Sequence, residues 1–240
     1  MNITMGYLLL AGGAEFSGRM IDADKRAIEL AGGNAARVDI IPAAAVPEDN
    51  HRRAGQNGIH WFTKLGVCHV VSQPLIDQRS AQRPEIANSL RNSSFIYLLG
   101  GFPSYLAQSL RDTLSWQSIQ TVFTGGGVVG GSSAGAMVLC QFFYDPARDR
   151  IEVGLGMLPG TCVIPHHNRH CSKWLNRLRS LLPDQLLLGI DERTAIINDA
   201  AVGGWTVYGE GEAVVYSASS RQSYNPGKII YYNDLQPPQI

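Results

Sequence analysis

The chain has 240 residues, 45% of them apolar and 17% charged, with Lys+Arg and Asp+Glu balanced at 20 each. That length supports one domain with a full hydrophobic core, expected over residues 1–240, and the composition excludes a disordered chain. The neutral balance gives no sign of a nucleic-acid or membrane partner.

The first apolar run, residues 7–14, has the look of a secretory signal, but no Lys or Arg precedes Arg19 and the run is too short to span a bilayer. A buried strand over residues 5–10, ending in the Gly12-Gly13 turn, explains it better. A helix over 19–31 follows, closed by Gly32-Gly33, and then a strand over 38–41 that Pro42 breaks. Residues 51–65 form a helix with Ile59, Phe62 and Leu65 at three-residue spacing and Trp61 beside that stripe. A strand at 69–71, a helix over 84–91 and a strand over 95–99 come next. Gly100-Gly101 then turns the chain into a helix over 104–110. Such repeated strand–helix units with near-continuous apolar strands predict a mainly parallel sheet covered on both faces, an α/β sandwich. Short strands at 194–198, 205–208, 213–216 and 229–232, separated by Gly, Asn and Ser turns, predict an antiparallel extension at one edge of that sheet.

The middle of the chain carries the strongest chemical signal. Gly131-Ser132-Ser133-Ala134-Gly135 follows the apolar run 128–130 and precedes a helix expected over 136–140. A serine on a sharp strand-to-helix turn is strained and exposed, and glycines two residues to either side allow close approach of neighbouring chain. The start of a helix also presents free N–H groups that favour developing negative charge. In open parallel sheets the functional loops gather at the carboxyl ends of the strands. The Gly100-Gly101 loop belongs to that set, so its N–H groups and that of Ala134 could converge on one carbonyl oxygen as an oxyanion hole.

A serine hydroxyl needs a base. Three of the six histidines lie after the serine in Pro165-His166-His167-Asn168-Arg169-His170-Cys171, which follows a strand at 161–164. The strand at 186–190 runs into Asp191 and Glu192, acids able to orient a histidine or to form a surface salt bridge. The order Ser, His, acid excludes a conventional α/β-hydrolase, whose histidine comes last. Metal binding by His166, His167, His170 and Cys171 is disfavoured, because adjacent histidines on an extended segment point in opposite directions. No cofactor is expected. The four cysteines, Cys68, Cys140, Cys162 and Cys171, show no framework spacing and read as reduced residues of a cytoplasmic protein.

Several of these segments together resemble peptidase family S51, the serine peptidases that include cyanophycinase and dipeptidase E. They are Gly12-Gly13-Ala14-Glu15, Leu98-Leu99-Gly100-Gly101, the Gly130–Ala136 turn, Gly154–Pro159, Gly189–Ala195 and Trp205–Gly209. The resemblance implies a three-layer α/β/α fold similar to class I glutamine amidotransferases, with serine in place of their cysteine. It implies Ser133 as nucleophile and His166 as base, with His167 as fallback. Glu192 is the implied acid, with Asp191 as alternative; the dipeptidase E branch points instead to an acid nearer the serine, where Asp145 and Asp149 stand. The oxyanion donors would be the N–H groups of Gly101 or Phe102 and of Ala134. A small peptide-like substrate follows, and a homodimer is compatible. Two departures bear on substrate. Phe102-Pro103 and Ile164-Pro165 replace polar residues that in relatives help read an aspartyl group, so that specificity does not carry over. The same departures motivate an alternative, a catalytically inactive binding protein on the same fold. A glutamine amidotransferase would need a cysteine nucleophile, and Cys140 is expected inside the helix after the serine.

Overall fold

The computed structural model describes residues 5–218, 220–231 and 233–239; Tyr232 and the Cys171 side chain, named above, lie outside the described residues. In the first half, strands β1 (Tyr7–Ala11), β2 (Arg37–Ile41), β3 (His69–Ser72), β4 (Phe95–Leu98) and β5 (Val128–Ser132) are joined by helices. These are α1 (Met20–Leu30), α2 (His51–Lys64), α3 (Gln78–Ala81), α4 (Pro84–Arg91), α5 (Pro103–Leu110) and α6 (Leu114–Thr124). The second half contains α7 (Ala134–Leu139), β6 (Cys140–Asp145), β7 (Arg150–Val153), β8 (Leu158–Ile164), α8 (His167–Leu181) and β9 (Leu186–Ile190). It closes with β10 (Thr194–Ile197), β11 (Trp205–Gly209), β12 (Ala213–Tyr216), β13 (Arg221–Tyr224) and β14 (Ile229–Ile230).

The side-chain period of two explains why the first strands are apolar throughout. Leu8 and Leu10 of β1, with Ile96 and Leu98 of β4, enter a core roofed by α4, α5 and α6. Leu9 and Ala11, with Phe95 and Tyr97, enter the opposite core under α1 and α2. Both faces of the sheet are therefore dry, as the three-layer α/β/α reading requires. In this eight-stranded sheet β1, β5, β4, β2 and β3 run parallel. The antiparallel strands β10, β11 and β14 extend it beyond β1, at one edge as expected.

The strands of the last third do not all join that edge. β12 pairs with β9 in a second, six-stranded sheet of order β13-β12-β9-β8-β6-β7. One face of this sheet shares the core of α4–α7 through Phe143, Val163, Leu188 and Val215. Its other face packs under α8 through Ile164, Leu178, Leu187 and Val214. Burial on both faces makes the strands of the two sheets look alike in sequence. Among the described residues no helix is long and apolar enough to cross a membrane.

Candidate active site

Every chemical group of interest stands at the carboxyl end of a parallel strand, but the strands belong to two sheets. β5 delivers Ser133, β1 the Gly12–Glu15 loop and β4 the Gly100-Gly101 loop, all from the eight-stranded sheet; β8 delivers His166 and β9 delivers Glu192 from the other. Backbone hydrogen bonds lace these ends together. The N–H of Ser133 donates to Ala11 at 3.0 Å, that of His166 to Gly12 at 2.7 Å, and that of Arg193 to Gly13 at 2.9 Å. Residues far apart in sequence are thus held by main chain, where side-chain entropy does not loosen the geometry.

Ser133 links β5 to α7 with φ 50° and ψ −112°, a conformation that costs a non-glycine residue about 1–3 kcal/mol and persists only where its surroundings enforce it. The flanking glycines supply the room. A Cβ on Gly131 would strike the backbone of Gly135, and one on Gly135 would strike the Leu98 carbonyl. Helix α7 starts at Ala134, two residues earlier than expected, and ends at Leu139. Cys140 therefore opens β6 rather than lying in the helix. It is fully buried, its Sγ donates to the Ala136 carbonyl at 3.6 Å, and burial pushes its thiol well above the ordinary range. It is no candidate nucleophile.

The Ser133 hydroxyl lies 3.0 Å from Nε2 of His166, and Nδ1 of His166 lies 2.8 Å from Oε1 of Glu192. This is the order serine, imidazole, carboxylate along one line, with the carboxylate on the nitrogen away from the hydroxyl. Oε2 of Glu192 pairs with Arg169 at 2.9 Å, and the Glu192 N–H donates to the Asn168 side chain at 3.3 Å. The first contact fixes the carboxylate and the second the main chain that carries it. His166 has φ 47° and precedes α8 as its cap, so the two histidines sit at a helix start rather than on an extended segment. Gly13, with φ 115°, lies flat against the His166 ring; a Cβ there would overlap Cε1.

The alternative residues are occupied elsewhere. His167 is buried, with Nδ1 3.0 Å from Asp191 and Nε2 2.8 Å from the Tyr216 hydroxyl. Asp191 also accepts from the Glu212 N–H at 3.0 Å. Burial opposes its charge, but the His167 and backbone contacts win and hold its carboxyl below the usual range. Asp145 accepts from the Ser104 hydroxyl at 2.6 Å and the Ala147 N–H at 2.9 Å, while Asp149 accepts from Tyr144 and Arg177. Neither touches His166. Of the three oxyanion donors, Phe102 is withdrawn, because its N–H donates to the Ala44 carbonyl at 2.8 Å. Those of Gly101 and Ala134 donate to no other described residue.

Two participants had no role in the sequence reading. Glu15 accepts from the Ser132 hydroxyl at 2.7 Å, beside the Ser133 turn. Arg169, in the histidine segment, reaches the Glu192 carboxylate, a contact that only the fold of α8 over β9 reveals. Among the described residues no group of three His, Cys, Asp or Glu side chains could hold a metal ion.

Comparison with known proteins finds relatives over most of the chain. A family model described as Peptidase family S51 matches residues 8–201. A cyanophycinase of Synechococcus elongatus is 31% identical over 221 residues, covering 88% of this chain and 67% of that relative. A cyanophycinase of Nostoc sp. (strain PCC 7120 / SAG 25.82 / UTEX 2576) is 28% identical over 224 residues, covering 88% of this chain and 74% of the relative. The crystal structure of a peptidase from an acI-B1 Actinobacterium matches with a TM-score of 0.85 at 30% identity, covering 96% of this chain and 98% of that one.

Proposed function

The chain belongs to peptidase family S51, and on that premise we propose that it is a serine-type hydrolase cleaving a peptide or isopeptide bond in a small peptide-like substrate. The observation that carries the reading is the unbroken hydrogen-bonded line from Ser133 through His166 to Glu192. In this mechanism Nε2 of His166 takes the hydroxyl proton as Ser133 Oγ attacks the scissile carbonyl carbon. Glu192 accepts from Nδ1–H, which keeps the proton off the side facing the serine and stabilises the imidazolium that forms. The N–H groups of Gly101 and Ala134 receive the negative charge that develops on the carbonyl oxygen.

Collapse of the tetrahedral intermediate breaks the C–N bond, and His166 returns its proton to the leaving amine. Water then enters against the acyl-serine, again deprotonated by His166, and releases the acid and free Ser133. Arg169 acts by fixing the other carboxylate oxygen of Glu192, not by touching substrate.

The test is hydrolysis of a peptide library by wild-type protein and by Ser133→Ala. Removing a triad nucleophile is expected to lower kcat by about 10⁴–10⁶-fold. Undiminished cleavage by Ser133→Ala of every substrate that the wild type cuts would refute the mechanism, and a wild type that cuts nothing would favour an inactive binding protein.

A further inference from the structure

Two imidazole–carboxylate bonds run side by side between the same two stretches of chain. At the start of α8, His166 reaches Glu192 at 2.8 Å and its neighbour His167 reaches Asp191 at 3.0 Å. The second bond repeats the order of the first, with the Tyr216 hydroxyl 2.8 Å from Nε2 of His167 where Ser133 stands against His166. Each ring also rests on a glycine that leaves no room for a methyl group. A Cβ on Gly13 would overlap His166, and one on Gly189 would overlap His167. Tyr216 is buried, however, so no substrate reaches its hydroxyl.

The second line is placed to hold the first. His166 has φ 47°, a left-handed conformation that a non-glycine residue keeps only where its surroundings enforce it. Asn168 and Arg169 also tie this turn of α8 to the end of β9, but they act on Glu192 from the solvent side, and 67% of the Arg169 side chain is exposed. Contacts of that kind give way to water readily. The His167 and Asp191 side chains are only 7% and 13% exposed, so their bond is stronger and breaking it strands a buried carboxylate. Asp191 is rigid in turn. Its Oδ2 accepts from the Glu212 N–H at 3.0 Å, and its own N–H donates to the Glu212 carbonyl at 3.2 Å. Tyr216 lies in β12, in register with Leu187 of β9. His167 is therefore the buried link between the first turn of α8 and the second sheet.

Resting on the hydrolase reading above, we propose that His167 is a positioning residue for that base: through its buried bonds to Asp191 and Tyr216 it holds the strained His166 backbone, and with it the imidazole between Ser133 and Glu192. It acts through His166 and touches neither substrate nor the reacting atoms. The effect belongs to the reaction and not only to the fold, because a small displacement of a proton-transferring ring costs far more rate than stability.

Three variants separate this role from plain stabilisation. His167→Phe keeps a ring but removes both hydrogen bonds, His167→Asn offers an amide N–H to Asp191, and Tyr216→Phe removes the hydroxyl alone. With the peptide that the wild type cleaves best, His167→Phe is expected to lower kcat by about 10- to 100-fold at unchanged KM. His167→Asn should recover part of that loss, and Tyr216→Phe should show a smaller loss of the same kind. The ring itself is followed without substrate, through the Nδ1–H proton of His166 in NMR spectra of protein labelled with nitrogen-15 histidine. That signal, identified by its absence in His166→Ala, should be sharp in the wild type and broadened or lost in His167→Phe, where the bond to Glu192 no longer shields it from exchange. If His167→Phe does not fold, His167→Asn and Tyr216→Phe carry both measurements. Unchanged kcat in the folded variants, a loss confined to KM, no recovery in His167→Asn over His167→Phe, or an unaltered His166 proton would each overturn the assignment. Failure of the hydrolase reading appears separately, as wild-type hydrolysis that Ser133→Ala does not abolish, and the proton signal tests the positioning in that case too.

Discussion

At His166-His167 and at Asp191-Glu192 the chain places two similar side chains next to each other, and the fold sends them to different places. His166 meets Ser133 and Glu192, while His167 meets Asp191 and Tyr216 in a buried cluster. The two histidines are therefore expected to respond differently. His166→Ala should abolish hydrolysis with little change in unfolding free energy. His167→Ala should lose about 3 kcal/mol of stability, measured by urea denaturation, because Asp191 and the Tyr216 hydroxyl are left buried without their partner. Equal stability losses in both variants would contradict the division. Glu192→Gln keeps the shape but can turn an amide N–H toward the imidazole; kcat is expected to fall by about 10²–10⁴-fold with little change in KM. Residue types alone could not make this division, since imidazole beside imidazole and carboxylate beside carboxylate offer no contrast in polarity or size. Family resemblance pointed to His166 and Glu192; the contacts of their neighbours come only from the three-dimensional arrangement.

Elements were legible where their apolar pattern was plain and hidden where it was diluted. The runs that became β1, β4 and β5 are buried on both faces, so sequence and structure agree closely there. Helix α8 is hidden in the sequence because polar residues surround its apolar positions; Trp174 and Leu178 are four residues apart and pack on the second sheet. The β6–β7 hairpin was similarly obscured, since Arg150 and Glu152 sit in its outer strand and pair with each other on the surface. The turn after β1 is legible as a Gly-Gly turn, but its closeness to the His166 ring is a property of the fold alone. Gly13→Ala tests that contact. The added methyl is strained at φ 115° and overlaps the ring, so hydrolysis should fall nearly as far as in His166→Ala while the protein still folds. Wild-type activity in Gly13→Ala would mean that the ring is not held where the structure has it.

Across the whole molecule, the site exists because two sheets bring their carboxyl ends together, with Gly12 bonded to Thr194 of β10 in one and to His166 at the end of β8 in the other. The sequence predicts a single extended sheet, because a strand buried on both faces carries no mark of which sheet it joins. Global stability has its own titrating group. Burial pushes the Asp24 carboxyl from 3.8 up to about 7, against the Trp61 hydrogen bond that lowers it and with Glu15 adding to the rise. The folded protein retains this proton where the unfolded chain releases it. The associated stability is thus complete below about pH 4 and lost as pH rises toward 7. Asp24→Asn keeps an oxygen for Trp61 and never ionises. It should match the wild type at pH 4 and exceed it at pH 8 by about 1–4 kcal/mol in urea denaturation; a wild-type advantage at pH 8 would contradict this. The reactivity of Ser133 bears most directly on the whole account. Wild-type protein with measured peptidase activity is treated with a small organophosphorus fluoride, digested and mapped by mass spectrometry. One adduct on Ser133, none on Ser132, and activity lost in proportion to labelling is the expected result. Full activity with Ser133 modified, or inactivation with the adduct on another residue, would contradict it.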